Sequence, residues 1–119
     1  MDNKTTIQEL KEKVKKFCED RDWDQYHNAK DLAIGIITEA SELLEHFRFK
    51  SEEDAKQILK SKKQEISEEL ADIFYFVLRL SQKYDIDLTT ELGKKLRKNE
   101  LKYPVNKSKG SNKKYNEIK

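Results

Sequence analysis

Residues 70–80 read LADIFYFVLRL, and only Asp72 and Arg79 in that stretch are charged. Wound as a helix, the segment is apolar on almost every side, and such a helix must be covered all round. It belongs at the centre of a bundle or across an interface between subunits. The rest of the chain has little to cover it with. Of 119 residues, 35% are hydrophobic and 40% are charged. A chain this small and polar gains by burying more apolar surface in an oligomer. One proline and three glycines argue against a turn-rich β fold, and the abundance of Glu, Lys and Leu favours helices. The expected fold is all-α, with four main helices.

Local signals place the helices. Thr6 followed by Glu9 is a capping-box pattern, so the first helix starts near residue 6. Residues 20–27 break its rhythm and read as a loop. Asn28 or a neighbour caps a second helix running to about residue 49, with Leu32, Ile36, Ala40, Leu43 and Phe47 on its apolar stripe. Ser51-Glu52-Glu53-Asp54 starts a short helix to about residue 59. A third long helix covers about 62–84. Asp87 caps a fourth, from about 88 to 101, which ends before Pro104 because the residue preceding a proline is pushed out of helical geometry.

Charge divides the chain unevenly. Residues 94–119 hold ten Lys/Arg and two Glu, while residues 1–93 hold 15 basic and 21 acidic residues. The acidic body needs cations, and the basic end can meet anions. Residues 1–104 are read as one helical domain and 105–119 as a basic tail, too polar to order itself. The lone Cys18 excludes an internal disulfide and suits a reducing compartment. No apolar run reaches the roughly 20 residues needed to span a bilayer, and the first ten residues do not form a signal peptide. A soluble cytoplasmic protein is expected, with no membrane partner.

The second and third long helices share an acidic pattern, Glu39-Ala-Ser-Glu42 and Glu69-Leu-Ala-Asp72. Residues three apart are neighbours on one helix face, where like charges repel. With 23 acids in the chain, chance supplies about four such pairs, so spacing alone is weak. Glu9–Glu12, Glu42–Glu45 and Glu65–Glu68 read as solvated faces. Position within the apolar pattern distinguishes the two chosen pairs. With Ile36 at zero, Glu39 falls at about −60°, on the edge of the apolar stripe, and Glu42 at about −120°. Asp72 lies inside the apolar run, and Glu69 falls about 100° from Leu70. Buried carboxylates cost several kcal/mol each unless a cation neutralises them, and Arg79 alone cannot serve four. Oxygen-only ligands favour Mg²⁺, or Mn²⁺ in its place, over zinc. A di-iron bundle would want Glu-x-x-His on two helices; neither His27 nor His46 has a Glu three residues before it. Two other readings stay open here: salt-bridged surface acids, and acids paired with Lys from another helix.

These residues resemble the MazG-like nucleotide pyrophosphohydrolases, in their small dCTP-pyrophosphatase branch. The likeness covers about 17–104: the paired motif Glu39, Glu42, Glu69, Asp72, the word RDWDQYH at 21–27, and KNELKYP at 98–104. The resemblance implies a MazG-like helical bundle assembled as a homodimer or as a homotetramer, a dimer of dimers. It implies Mg²⁺-dependent cleavage of a (d)NTP, with dCTP or a modified dNTP as candidates, to the monophosphate and pyrophosphate, a nucleotide-pool housecleaning activity. Glu39, Glu42, Glu69 and Asp72 would hold metal, and Glu39 or Glu42 would activate water. Trp23 would stack on the base, Phe49 would line the opposite side, and Phe76 would pack near the sugar. Lys98, Asn99, Lys102 and Tyr103 would meet phosphate, sugar or base edges. Each has a plainer alternative. Trp23 can anchor its loop, Phe49 and Phe76 can be core, and Lys98 and Lys102 can complement a helix C-terminus. Phe49 stands where a tryptophan is expected and Val14 where a base-contacting histidine can occur, so base preference stays open.

The rival class is a non-catalytic helical interaction module whose basic tail binds nucleic acid through salt-sensitive phosphate contacts. Only Tyr103 and Tyr115 interleave the tail lysines, so specific nucleic-acid binding is not expected.

Overall fold

The structure, a computed structural model, describes residues 1–118 and divides into two compact units, Met1–Asp85 and Ile86–Lys119. The first holds α1 (Ile7–Asp20), α2 (Ala29–Glu45), α3 (Glu52–Ser61) and α4 (Lys63–Lys83). The second holds α5 (Leu88–Lys102), the short α6 (Val105–Ser108) and a 3-10 turn at Tyr115–Glu117. No strand occurs among the described residues, so the fold is all-α as expected.

Side-chain caps set the helix starts. Each capping oxygen accepts a backbone N–H three residues on, satisfying a donor that the first turn leaves unpaired. Thr6 Oγ1 takes the N–H of Glu9 at 3.1 Å, Asn28 Oδ1 that of Asp31 at 2.8 Å, and Ser51 Oγ that of Asp54 at 3.1 Å. Asp87 does the same for Thr90 at 2.8 Å.

In the first unit α4 is the hub, and α2, α1 and α3 all pack on it. The buried apolar core is thin: Cys18, Leu32, Ile66 and Leu78. The α2–α4 approach is close. A Cβ built on Gly35 would lie 2.5 Å from the ring of Phe76. Glycine costs about 1 kcal/mol in a helix interior, and here it lets the aromatic ring rest on the α2 backbone. A single chain leaves much of the apolar circumference uncovered, with Ile37 68% and Leu70 53% exposed. No helix among the described residues is long and apolar enough to cross a membrane.

Helix α2 ends four residues before the expected position. Residues 46–49 form turns, the Phe47 N–H bonds Leu44 O at 2.9 Å, and Phe49 takes φ 61°. A left-handed residue cannot continue a right-handed helix. In the second unit, residues beyond Pro104 make two short helical turns. Tyr115 packs edge-on to Tyr103 at 6.3 Å, and Lys102 Nζ sits 4.7 Å over the Tyr115 ring. These ring contacts supply apolar surface that the segment's composition otherwise lacks.

Candidate metal centre

The packing of α2 on α4 brings the two acidic pairs together. One carboxylate oxygen each from Glu39, Glu42, Glu69 and Asp72 lies within 4.8 Å of all the others. Glu39 and Glu69 are half-buried, while Glu42 and Asp72 are exposed. Oε2 of Glu39 and Oε2 of Glu69 are buried without a hydrogen-bond partner. A buried acceptor without a donor is costly. Burial pushes the Glu39 carboxyl up to about 7, with the neighbouring Glu42, then Asp72 and Glu69, adding to the rise. Burial raises Glu69 as well, helped by Glu42 and opposed by His46.

The residues fit a hard divalent cation. Four oxygen donors converge, no thiolate is among them, and two buried lone-pair sets lack a proton donor. Arg79 does not serve this cluster. Its guanidinium is engaged by Asp24, His27 and Gln82.

One turn before Glu39 on α2 is Gly35, and one turn beyond Asp72 on α4 is Phe76, the pair in contact above. An aromatic run continues from there. Phe76 meets Tyr75 edge-on at 5.1 Å, Tyr75 meets Phe17 at 6.2 Å, and Phe17 meets Trp23 at 5.6 Å. Arg21 lies 3.8 Å over the Phe17 ring. The structure thus links Trp23 and Phe76 through a row of rings that begins one helical turn from the carboxylates. Phe49 stands on its own turn, 91% exposed, with the Arg48 guanidinium 4.8 Å from its ring. Lys98, Asn99 and Lys102 lie on the last turns of α5, and Tyr103 is its C-cap, with its N–H on Asn99 O at 2.8 Å.

The sequence reading takes His46 as structural or exposed, and the structure sets it beside Glu69. Its Nε2 lies 3.7 Å from Oε1 of Glu69, with both side chains largely covered. It follows Glu42 by four residues, a helical-neighbour spacing that could have marked it.

The profile of the MazG-like family matches residues 34–118, a stretch that contains all four acids. The chain belongs to the MazG-like family. Rat dCTP pyrophosphatase 1 is 30% identical over 115 residues, which cover 95% of this chain and 68% of the relative. Human dCTP pyrophosphatase 1 is 27% identical over the same coverage. A crystal structure of a pyrophosphatase from Archaeoglobus fulgidus superposes with a TM-score of 0.79. It is 35% identical, covering 82% of this chain and 92% of that one. This MazG-like chain therefore shares sequence with dCTP pyrophosphatases over 95% of its length and fold with a pyrophosphatase over 82% of it.

Proposed function

We propose that this chain, a nucleoside triphosphate pyrophosphatase by family, cleaves a deoxynucleoside triphosphate between its α and β phosphates in a Mg²⁺-dependent reaction. The products are the monophosphate and pyrophosphate, and dCTP or a modified dNTP is the substrate class. One observation carries this reading: four carboxylates within 4.8 Å of one another, two of them with buried, partnerless oxygens. The relatives named for dCTP support the substrate class.

Glu39, Glu42, Glu69 and Asp72 hold the metal in this reading, and Mn²⁺ can replace Mg²⁺. A divalent ion held by these four carboxylates would supply Lewis-acid stabilisation of the negative charge that builds up on the phosphates during cleavage. Glu39 or Glu42 orients the attacking water and takes its proton. Trp23 stacks on the base, Phe49 faces it, and Phe76 borders the sugar. Lys98, Asn99, Lys102 and Tyr103 meet phosphate, sugar or base edges. The exposed apolar faces of α2 and α4 support assembly as a dimer or tetramer. The single free cysteine supports a cytoplasmic setting.

A panel of nucleotides incubated with and without MgCl₂, scored for pyrophosphate against orthophosphate, tests the reaction. Glu39→Gln and Asp72→Asn should each lose at least about 100-fold in turnover, since even groups that merely orient metal ligands are worth about 10–100-fold. Helical content should stay unchanged. Orthophosphate as the product, or variants turning over at the normal rate, would defeat the assignment.

A further inference from the structure

Arg79 ranks with Leu32 and Cys18 among the largest fully buried side chains, and it is 1% exposed. Burying a guanidinium is expensive unless its donors are met, and plain packing at this position of α4 would be served by leucine. Its donors are met in a particular way. Nε donates to Nδ1 of His27 at 3.0 Å, Nη1 to Oε1 of Gln82 at 2.6 Å, and Nη2 to Oδ1 of Asp24. One turn on, Lys83 Nζ donates to the backbone carbonyl of Asp24 at 2.7 Å. Two cations of α4 thus grip the loop between α1 and α2.

Trp23 lies between the gripped residues and α1. Its N–H bonds Cys18 O at 3.0 Å, and its carbonyl accepts the N–H groups of Tyr26 and His27 at 2.9 and 3.1 Å. Asp22 before it takes φ 56°, a left-handed conformation that aspartate tolerates. The indole stands edge-on to Phe17 and 6.0 Å from the His27 ring. The Asp24 side chain is 55% exposed, so its own burial is not what the pairing achieves. Both loop side chains that Arg79 holds lie within four residues of Trp23, which sets the backbone angle at which the indole leaves the loop. A preorganised contact surface binds better because its freedom is lost on folding, before the ligand arrives.

We propose that Arg79 is a positioning residue: by holding Asp24 and His27 it fixes the loop at 21–28 so that the Trp23 ring is presented for stacking. This rests on the reading of Trp23 as the base-stacking side chain. The reaction's carboxylates are untouched by the clamp, so its loss acts on substrate binding and spares the chemical step.

Trp23 is the chain's one tryptophan, so intrinsic fluorescence reports the loop directly. Arg79→Gln should red-shift and broaden that emission. It should also raise KM about ten- to a hundredfold with kcat within about twofold, the pattern of lost uniform binding. Arg79→Lys, which keeps the charge without the planar fork, should restore part of both. Asp24→Asn tests the same clamp from the exposed side and is the deciding variant if Arg79→Gln fails to fold. Combined with Arg79→Gln it should add little, since one interaction cannot be lost twice. Unchanged emission and KM in Asp24→Asn, or a fall in kcat at constant KM, would overturn the proposal. A wild-type chain releasing no pyrophosphate would instead sink the function proposed above, and the emission shift would still judge whether Arg79 holds the loop. Turnover with KM unmoved in Trp23→Ala would overturn the positioning role itself.

Discussion

Phe49 combines a φ of 61° with 91% exposure. A side chain with a Cβ in the left-handed region costs about 1–2 kcal/mol. The Arg48 guanidinium 4.8 Å from its ring returns about 0.5–1 kcal/mol at an exposed site. Strain of this sort is held where the position does something besides folding. Phe49→Gly should therefore stabilise the chain by about 1 kcal/mol, because glycine occupies that region freely. Tm should rise by a few degrees. If the ring faces the base, KM for the triphosphate should rise in the same variant. A melting curve and a KM measurement on one preparation check both halves. A lower Tm removes the strain argument, and an unchanged KM removes Phe49 from the pocket. Nothing in the sequence announced this turn. Left-handed helix ends are normally marked by Gly or Asn, and phenylalanine carries no such preference, so the apolar rhythm of α2 simply ran on to residue 49.

At the scale of elements, the contact between the α1–α2 loop and α4 makes a pH prediction. His27 accepts from Arg79 at Nδ1, so its neutral form is the bound one. Burial depresses its pKa below the ordinary 6.5, Arg79 and then Lys83 add to that, and Asp24 opposes them. The unfolded imidazole takes up a proton below pH 6.5 while the folded one resists. Stability is therefore full above about pH 6.5 and declines as pH falls toward the depressed value. His27→Asn keeps an acceptor near the same place without titrating, so its denaturation midpoint should be flatter between pH 5 and 7 than the parent's. Parallel profiles for the two proteins would refute the contact's role. The loop's link to Arg79 was invisible in the sequence because it joins positions 52 and 55 apart. The helix starts were legible because each cap lies within three residues of its partner. The acidic pairs stood between these cases. Their spacing was weak evidence, and their phase against the apolar stripe made them credible. The α2–α4 packing then supplied what no local pattern contains, the convergence of the two pairs. His46, read as structural or exposed, meets Glu69 only through the α2–α4 packing, which no local spacing contains.

At the scale of the whole molecule, the apolar surface left open on α2 and α4 sets the last prediction. Ile34, Ile37 and Leu44 on α2 are at least half exposed, as is Leu70 on α4, with Phe74 close behind. Beside Phe74 a groove of about 500 Å³ runs past Ile7 and Leu10. On α4, Leu70 and Phe74 are one turn apart on one stripe, so these two exposed side chains adjoin, between the buried Ile66 and Leu78. Contiguous apolar patches of this kind mark association surfaces, and a stable interface buries on the order of 1,600 Å² in total. A second copy of the chain offers the same faces and so can meet them with two-fold symmetry. The wild-type protein should therefore sediment as a dimer or larger assembly at micromolar concentration. Its Tm should rise with concentration, since association stabilises by mass action. Ile37→Glu and Leu70→Glu each place a charge on that surface and should shift the protein toward monomer, with a lower Tm that no longer depends on concentration. If the nucleotide pocket is completed across the interface, turnover per chain should fall with the same dilution that dissociates the parent. A monomeric parent at high concentration, or glutamate variants that assemble normally, would show that these faces are covered in some other way.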